Sequence, residues 1–216
     1  MQFINLHTHK TTIADDHFAI VNQYPLSFNN TIANYSIGIH PWHININTLQ
    51  SELDIINQNI SSKNCLALGE CGLDKQIKIS LDLQIEIFEK QVQLAIINKK
   101  PLILHCVAAF QELIAIKKKL KVNVPMIVHG FSKNMQLANQ LLDNEFYLSF
   151  GKYLIQNPES KMVFRQIPNQ RFFLETDSSE YAIETIYNQA AIIKNIEIDE
   201  LKNIVAQNYQ KIFMNQ

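Results

Sequence analysis

The chain has 216 residues, of which 47% are hydrophobic and 18% charged, enough for one large domain, residues 1–216, with a sizeable core. Lys plus Arg total 19 against 20 Asp plus Glu, a net charge of −1, which excludes attachment to nucleic acid by bulk charge alone but leaves a locally basic cleft open. Three cysteines, Cys65, Cys71 and Cys106, are too few for a disulfide scaffold and read as the reduced thiols of a cytoplasmic protein. The expectation is no signal peptide and, with no run of about 18 apolar residues, no membrane span.

In chain order, strand-like runs fall at 2–7, 18–23, 35–40, 65–70, 102–105, 126–129, 146–149 and 171–175. Most are short and nearly continuously apolar, such as Leu102-Ile103-Leu104 and Met126-Ile127-Val128, as parallel strands buried on both faces require. Helical patterns lie between most of them. Leu81, Ile85, Phe88, Val92, Ala95 and Ile96 form one apolar stripe. Further helices are expected at 49–60, 110–120, 135–143, 180–194 and 201–213. This alternation predicts right-handed crossovers and a compact single-domain TIM-type (β/α)8 barrel, α/β in class. The first crossover is shortened, because residues 8–17 cannot hold a full helix.

The predicted strand ends carry the chemistry. The first ends in His7-Thr8-His9, the fourth in Gly69-Glu70, the fifth in His105, the sixth in His129 and the eighth in Glu175-Thr176-Asp177. In such a barrel the strand C-termini converge on one rim, where the active site forms. His7 and His9 lie two apart and share a face. Six N/O donors, His7, His9, Glu70, His105, His129 and Asp177, exceed one tetrahedral site. They suit two divalent ions ~3.5–4 Å apart, with Glu70 and a hydroxide as bridging anions and that hydroxide as nucleophile. The ions are expected to be Zn, Mn or Mg, the imidazoles favouring Zn²⁺, Mn²⁺, Co²⁺ or Ni²⁺ over Mg²⁺. Glu175 is expected one layer deeper, supporting a ligand. His17 and His43 read as ordinary packed or solvated residues, and Cys71 and Cys106 as packing residues.

Lys10, Lys75, Lys133 and Lys152 each follow a strand end, and Lys10 and Lys133 are the best candidates for substrate phosphate contacts. Lys117, Lys118, Lys119 and Lys121 read instead as a solvated helix end. Trp42 offers either a stacking surface for a base or packing over the barrel mouth.

Leu6-His7-Thr8-His9, Ile37-Gly38-Ile39-His40-Pro41, Ala67-Leu68-Gly69-Glu70-Cys71-Gly72-Leu73-Asp74, Leu104-His105-Cys106, Val128-His129-Gly130-Phe131-Ser132 and Leu174-Glu175-Thr176-Asp177 resemble the TatD family of metal-dependent hydrolases, in the family's order. Residues 208–213 are similar to its closing helix. The resemblance implies that His7, His9 and Asp177 hold one ion, that Glu70 bridges, and that His105 and His129 complete the second. It also implies that Asp177 accepts a proton from the attacking water, so Asp177 and Glu70 are the catalytic pair. It implies DNA or another phosphodiester as substrate; no membrane or obligate protein partner is inferred.

Three segments depart from the family pattern. Lys10-Thr11 follows His9 where an acidic residue is usual, Cys106-Val107-Ala108 follows His105 where an Arg is usual, and Ser178-Ser179 follows Asp177 where Pro is usual. The ligand set is complete while the substrate-contacting set is altered. A hydrolase of amides, esters or small phosphoesters, or a metal-binding relative without catalysis, therefore stand as alternatives.

Overall fold

The computed structural model describes residues 2–214. Eight strands form one sheet in sequence order: β1 (Phe3–Thr8), β2 (His17–Gln23), β3 (Tyr35–Ile37), β4 (Cys65–Asp74), β5 (Leu102–Val107), β6 (Met126–Val128), β7 (Phe146–Phe150) and β8 (Phe172–Leu174). The helices are α1 (Leu49–Asn59), α2 (Leu81–Ile97), α3 (Phe110–Lys119), α4 (Met135–Asp143), α5 (Tyr153–Gln156), α6 (Pro158–Gln166), α7 (Ile183–Lys194) and α8 (Ile198–Tyr209). This is the TIM-type (β/α)8 barrel expected. The saving in length is larger than the sequence suggests: β1 and β2 are joined without a helix, and β2 and β3 by only a 3₁₀ turn, Pro25–Ser27. Among the described residues no helix is long and apolar enough to cross a membrane.

The contacts gather into two compact units, one made of the residues up to Ile20 with those from Ile127 onward, the other Val21–Met126. The dividing points fall inside β2 and β6.

In the Val21–Met126 unit, β3, β4 and β5 pair in parallel. β4 continues four residues past the expected end at Glu70, to Asp74, because two glycines let it lie close to β5. At Gly72, with φ +144°, a Cβ would sit 2.0 Å from the carbonyl oxygen of His105, so only glycine fits. The apolar stripe of α2 is also corrected. Its buried face is Gln84, Ile87, Phe88, Gln91, Val92 and Ala95. The two glutamines, seven apart, are buried because their amides pair with loop backbone. Gln84 Oε1 accepts from the Asp74 N–H at 2.8 Å while its Nε2 donates to the Asp74 and Ile79 carbonyls. Gln91 does the same for Ile39.

In the other unit β7 pairs with β8 in parallel, and Thr8 bridges Asp177, setting β1 beside β8. Phe150, Phe164 and Phe172 pack ring on ring at about 4.8–4.9 Å, filling the core that β7, β8 and α6 share. Helices α5 and α6 are additions to the sequence reading. The cue is Asn157-Pro158: Asn157 Oδ1 accepts from the Glu159 and Ser160 N–H groups, and proline needs no donor at the first helical position. The helix expected from residue 180 begins at Ile183, and Asn195 ends it in the left-handed conformation. The last expected helix begins three residues early, at Ile198, and closes in a π turn, Gln210–Met214. Its Asn208 amide donates to the carbonyls of Asn169 and Phe172, tying the chain end to β8.

The Tyr187 hydroxyl of α7, fully buried, donates to the Ile4 carbonyl at 2.9 Å and accepts from the Ile4 N–H at 3.1 Å. Replacing Tyr187 by Phe leaves both backbone groups buried and unpaired. The expected loss is about 1–3 kcal/mol in urea unfolding, and an unchanged midpoint would contradict this role.

Candidate metal centre

The first donor cluster is built on β1, the turn after β6 and the segment after β8. Donor atoms of His7, His129 and Asp177 all lie within 4.8 Å of one another. His7 is fully buried; its Nε2 is 3.7 Å from Asp177 Oδ1, and His9 Nε2 is 3.4 Å from the same oxygen. The alternation of strand side chains brings His7 and His9 to one face, with ring centroids 5.1 Å apart, and His7 and His129 rings are 4.5 Å apart. Asp177 takes φ +53°, a costly conformation for a residue with a Cβ. The strand edge holds it there: its N–H donates to the His7 carbonyl at 2.9 Å and its carbonyl accepts from the His9 N–H.

Buried polar neighbours brace this cluster. Glu175 is fully buried; its Oε1 accepts from the Gly130 N–H at 2.7 Å and faces His129 Nδ1 at 3.3 Å. With the His129 proton on Nδ1, that N–H donates to Glu175 and the Nε2 lone pair faces the cluster. Asn5, Thr176 and Thr8 form a hydrogen-bonded chain, Asn5 Nδ2 donating to Thr176 Oγ1 at 2.8 Å and Thr176 Oγ1 to Thr8 Oγ1 at 3.0 Å. It ties the β1 end to the segment after β8.

The second cluster belongs to the Val21–Met126 unit and centres on Glu70, 4% exposed. His40 Nε2 and His105 Nδ1 each stand 3.1 Å from Glu70 Oε1, and the Glu70 N–H donates to Asn22 Oδ1 at 2.6 Å. Beyond His105 is Asp74, its Oδ2 at 3.5 Å from His105 Nε2 and accepting from the Trp42 indole N–H at 2.7 Å. Burial raises the Asp74 pKa, but hydrogen bonds from Trp42, the Gln76 N–H and His105 outweigh it, and the carboxyl lies below its ordinary range. Burial lowers the His40 pKa, against the pull of Glu70. His40 Nδ1 accepts the Trp42 backbone N–H at 3.1 Å. A neutral His40 therefore carries its proton on Nε2 and donates it to Glu70, which makes it a positioning residue for that carboxylate.

His40 and Asp74 are the site residues that the sequence reading passed over. Both had a signal: His40 ends a strand-like run as His105 and His129 do, and Asp74 closes the Gly-Glu-x-Gly-Leu-Asp segment. Among the expected substrate contacts, Trp42 is 58% exposed and stands edge-on to His40 and His105. Lys10 and Lys133 are exposed. Lys75 is paired with Glu112 at 2.7 Å, and Lys152 lies 5.5 Å from the ring of Tyr153. Lys119, at the end of α3, pairs with Glu89 of α2 at 2.6 Å. All three cysteines are free thiols; burial pushes Cys65 up to about 12 and also raises Cys71, which the Glu70 charge lifts further.

Residues 7–214 match the sequence model of the TatD related DNases. The chain is 28% identical over 195 residues to the uncharacterized metal-dependent hydrolase YabD of Bacillus subtilis, covering 82% of this chain and 76% of that protein. It is 31% identical over 207 residues to the uncharacterized metal-dependent hydrolase BU355 of Buchnera aphidicola, covering 85% and 78%. The crystal structure of YjjV, a TatD homolog from Escherichia coli, superposes with a TM-score of 0.84 over 99% of this chain and 98% of that one, at 18% identity.

If the Trp42 indole holds Asp74 ionised, replacing Trp42 by Phe removes a donor and the Asp74 pKa rises. Carboxyl-carbon NMR titration of the two proteins reads this directly, and an unmoved Asp74 titration would refute the assignment.

Proposed function

The chain belongs to the TatD family of metal-dependent hydrolases, and from that membership and the two donor clusters we propose that it is a divalent-metal-dependent phosphodiesterase that cuts DNA. The observation that carries the reading is the make-up of the clusters. The first sets two imidazole nitrogens and a carboxylate oxygen within 4.8 Å of one another, and in the second His105 Nδ1 stands 3.1 Å from Glu70 Oε1, mixed N/O donors of the kind first-row divalent ions take. His7, His9, His129 and Asp177 would hold one ion, and Glu70 with His105 a second. When bound, such ions lower the pKa of coordinated water towards ~7 and draw charge from phosphoryl oxygens.

The remaining roles fall to the protein's own groups. Asp177, with its side chain a quarter exposed, would accept the proton of the attacking water. Glu175 holds His129 in the tautomer that leaves Nε2 open, and His40 holds Glu70 through its Nε2–H. Lys10 and Lys133 supply point charges for phosphate in place of the Arg that the family resemblance would put at Val107, the end of β5. The exposed face of Trp42 offers a stacking surface for a base. Since the family match spans residues 7–214, the whole chain is read as one catalytic domain.

A second reading, a hydrolase of amides, esters or small phosphoesters on the same ligands, is favoured by Cys106-Val107 in place of that Arg. Metal-loaded protein assayed on single-stranded DNA and on a simple phosphodiester separates the two. Release of nucleotides from DNA ends is expected, and failure on every DNA end would leave only the second reading. Glu70→Gln should lower bound metal, measured by elemental analysis, and cut turnover by more than about 100-fold, beyond what changes around a metal ligand cost. Lys119→Ala should leave turnover unchanged, since its partner is Glu89 on an outer helix; a large loss would misplace the substrate path.

A further inference from the structure

We infer that the cavity beside His40 is a nucleobase subsite, which receives the base of the nucleotide at the cleaved end; this rests on the phosphodiesterase reading above. The cavity measures about 310 Å³, at the small end of ligand pockets, the size for one ring system rather than two nucleotides. Its walls are Tyr24, Pro25, Leu26, Ile39 and His43, with Glu52 and one side of His40.

The chemistry of those walls selects the occupant. Tyr24 and His43 meet edge to face at 5.0 Å, and His43 and His40 rings are 5.7 Å apart, so aromatic surface runs from the cavity to the donor cluster. Leu26 is 60% exposed, an apolar rim that a flat ring would cover. Apolar and aromatic walls suit the π-face of a base. Glu52 is 4% exposed, with Oε1 accepting from the Thr48 hydroxyl at 2.6 Å. A buried carboxylate repels phosphate and accepts hydrogen bonds from ring N–H or exocyclic amino groups. The same His40 ring that walls the cavity stands 3.1 Å from Glu70. A base seated here therefore has its sugar and phosphate directed towards the proposed metal ligands, which is how binding energy away from the reacting atoms orients a substrate.

The test uses zinc-loaded protein, with thymidine and deoxyadenosine as probes and two variants, Leu26→Trp, which fills the rim at an exposed position, and Tyr24→Ala, which removes one wall. NMR titration with either nucleoside should shift the signals of Tyr24 and Leu26. Each variant should weaken binding about tenfold, towards the lower end of what one base–aromatic stack contributes. In parallel, wild type should cut DNA with an intact terminal base at least about tenfold faster in kcat/KM than DNA with an abasic end, and in Leu26→Trp the two rates should converge. Nucleosides that leave Tyr24 and Leu26 unshifted, or abasic ends cut as fast as intact ones, would overturn the subsite while leaving DNA cleavage standing. Nucleoside binding in the cavity without cleavage of any DNA would support the subsite and overturn the nuclease reading.

Discussion

Carboxyl groups buried inside a parallel barrel are the constraint on which the rest of this structure turns. Glu70 is 4% exposed, Asp74 2% and Glu175 not at all. A carboxylate without partners at such depth would protonate or unfold its surroundings. Each instead has polar partners: Glu70 lies against His40 and His105, Asp74 against Trp42 and His105, and Glu175 against Gly130 and His129. The imidazoles are thereby oriented before any ion arrives. Preorganisation of that kind is what metal-assisted hydrolysis asks of a protein, since a ligand held by its neighbours needs no reordering on binding.

The supporting structure makes sense as the means of holding those donors. Gln84 and Gln91 sit on the buried face of α2 because the end of β4 at Asp74 and the segment at Ile39 present backbone groups that need hydrogen bonds. Gly72 permits the close approach that carries β4 on to Asp74. Backbone hydrogen bonds to His7 and His9 hold Asp177 in a conformation it would otherwise leave, and the Asn5–Thr176–Thr8 chain ties the segments that carry them. These requirements are geometric rather than compositional. That is why the fold is shared with the Escherichia coli TatD homolog at only 18% identity.

The substrate side follows different rules. Where the family resemblance would put an acid two residues after His9 and an arginine two after His105, this chain has Thr11, preceded by Lys10, and Val107. Under the proposed function, charge for a phosphate would come from Lys10 and Lys133, ammonium groups that recognise charge without the paired geometry of a guanidinium. The proposed subsite adds an apolar and aromatic surface next to His40. Orientation of the substrate would rest on the shape of a base as much as on contacts to its backbone.

Strand and helix periodicity made the barrel legible in the sequence, down to the bounds of α4, and placed His7, His9, His105, His129 and Asp177 at strand ends. Such features are written locally, in runs of three to seven residues. Others were not legible for physical reasons. Gln84 and Gln91 look like the polar face of α2 until their backbone partners are known. The end of β4 depends on how near β5 comes. The role of His40 follows from a proton whose place is set by the Trp42 N–H on one nitrogen and Glu70 on the other, 30 residues along the chain. The sequence by itself determined which chemical groups are present and on which elements they end. The tertiary structure alone decided which of them touch, because pairs such as His105 with Glu70 or His129 with Glu175, 35 and 46 residues apart, meet through packing that no local pattern records.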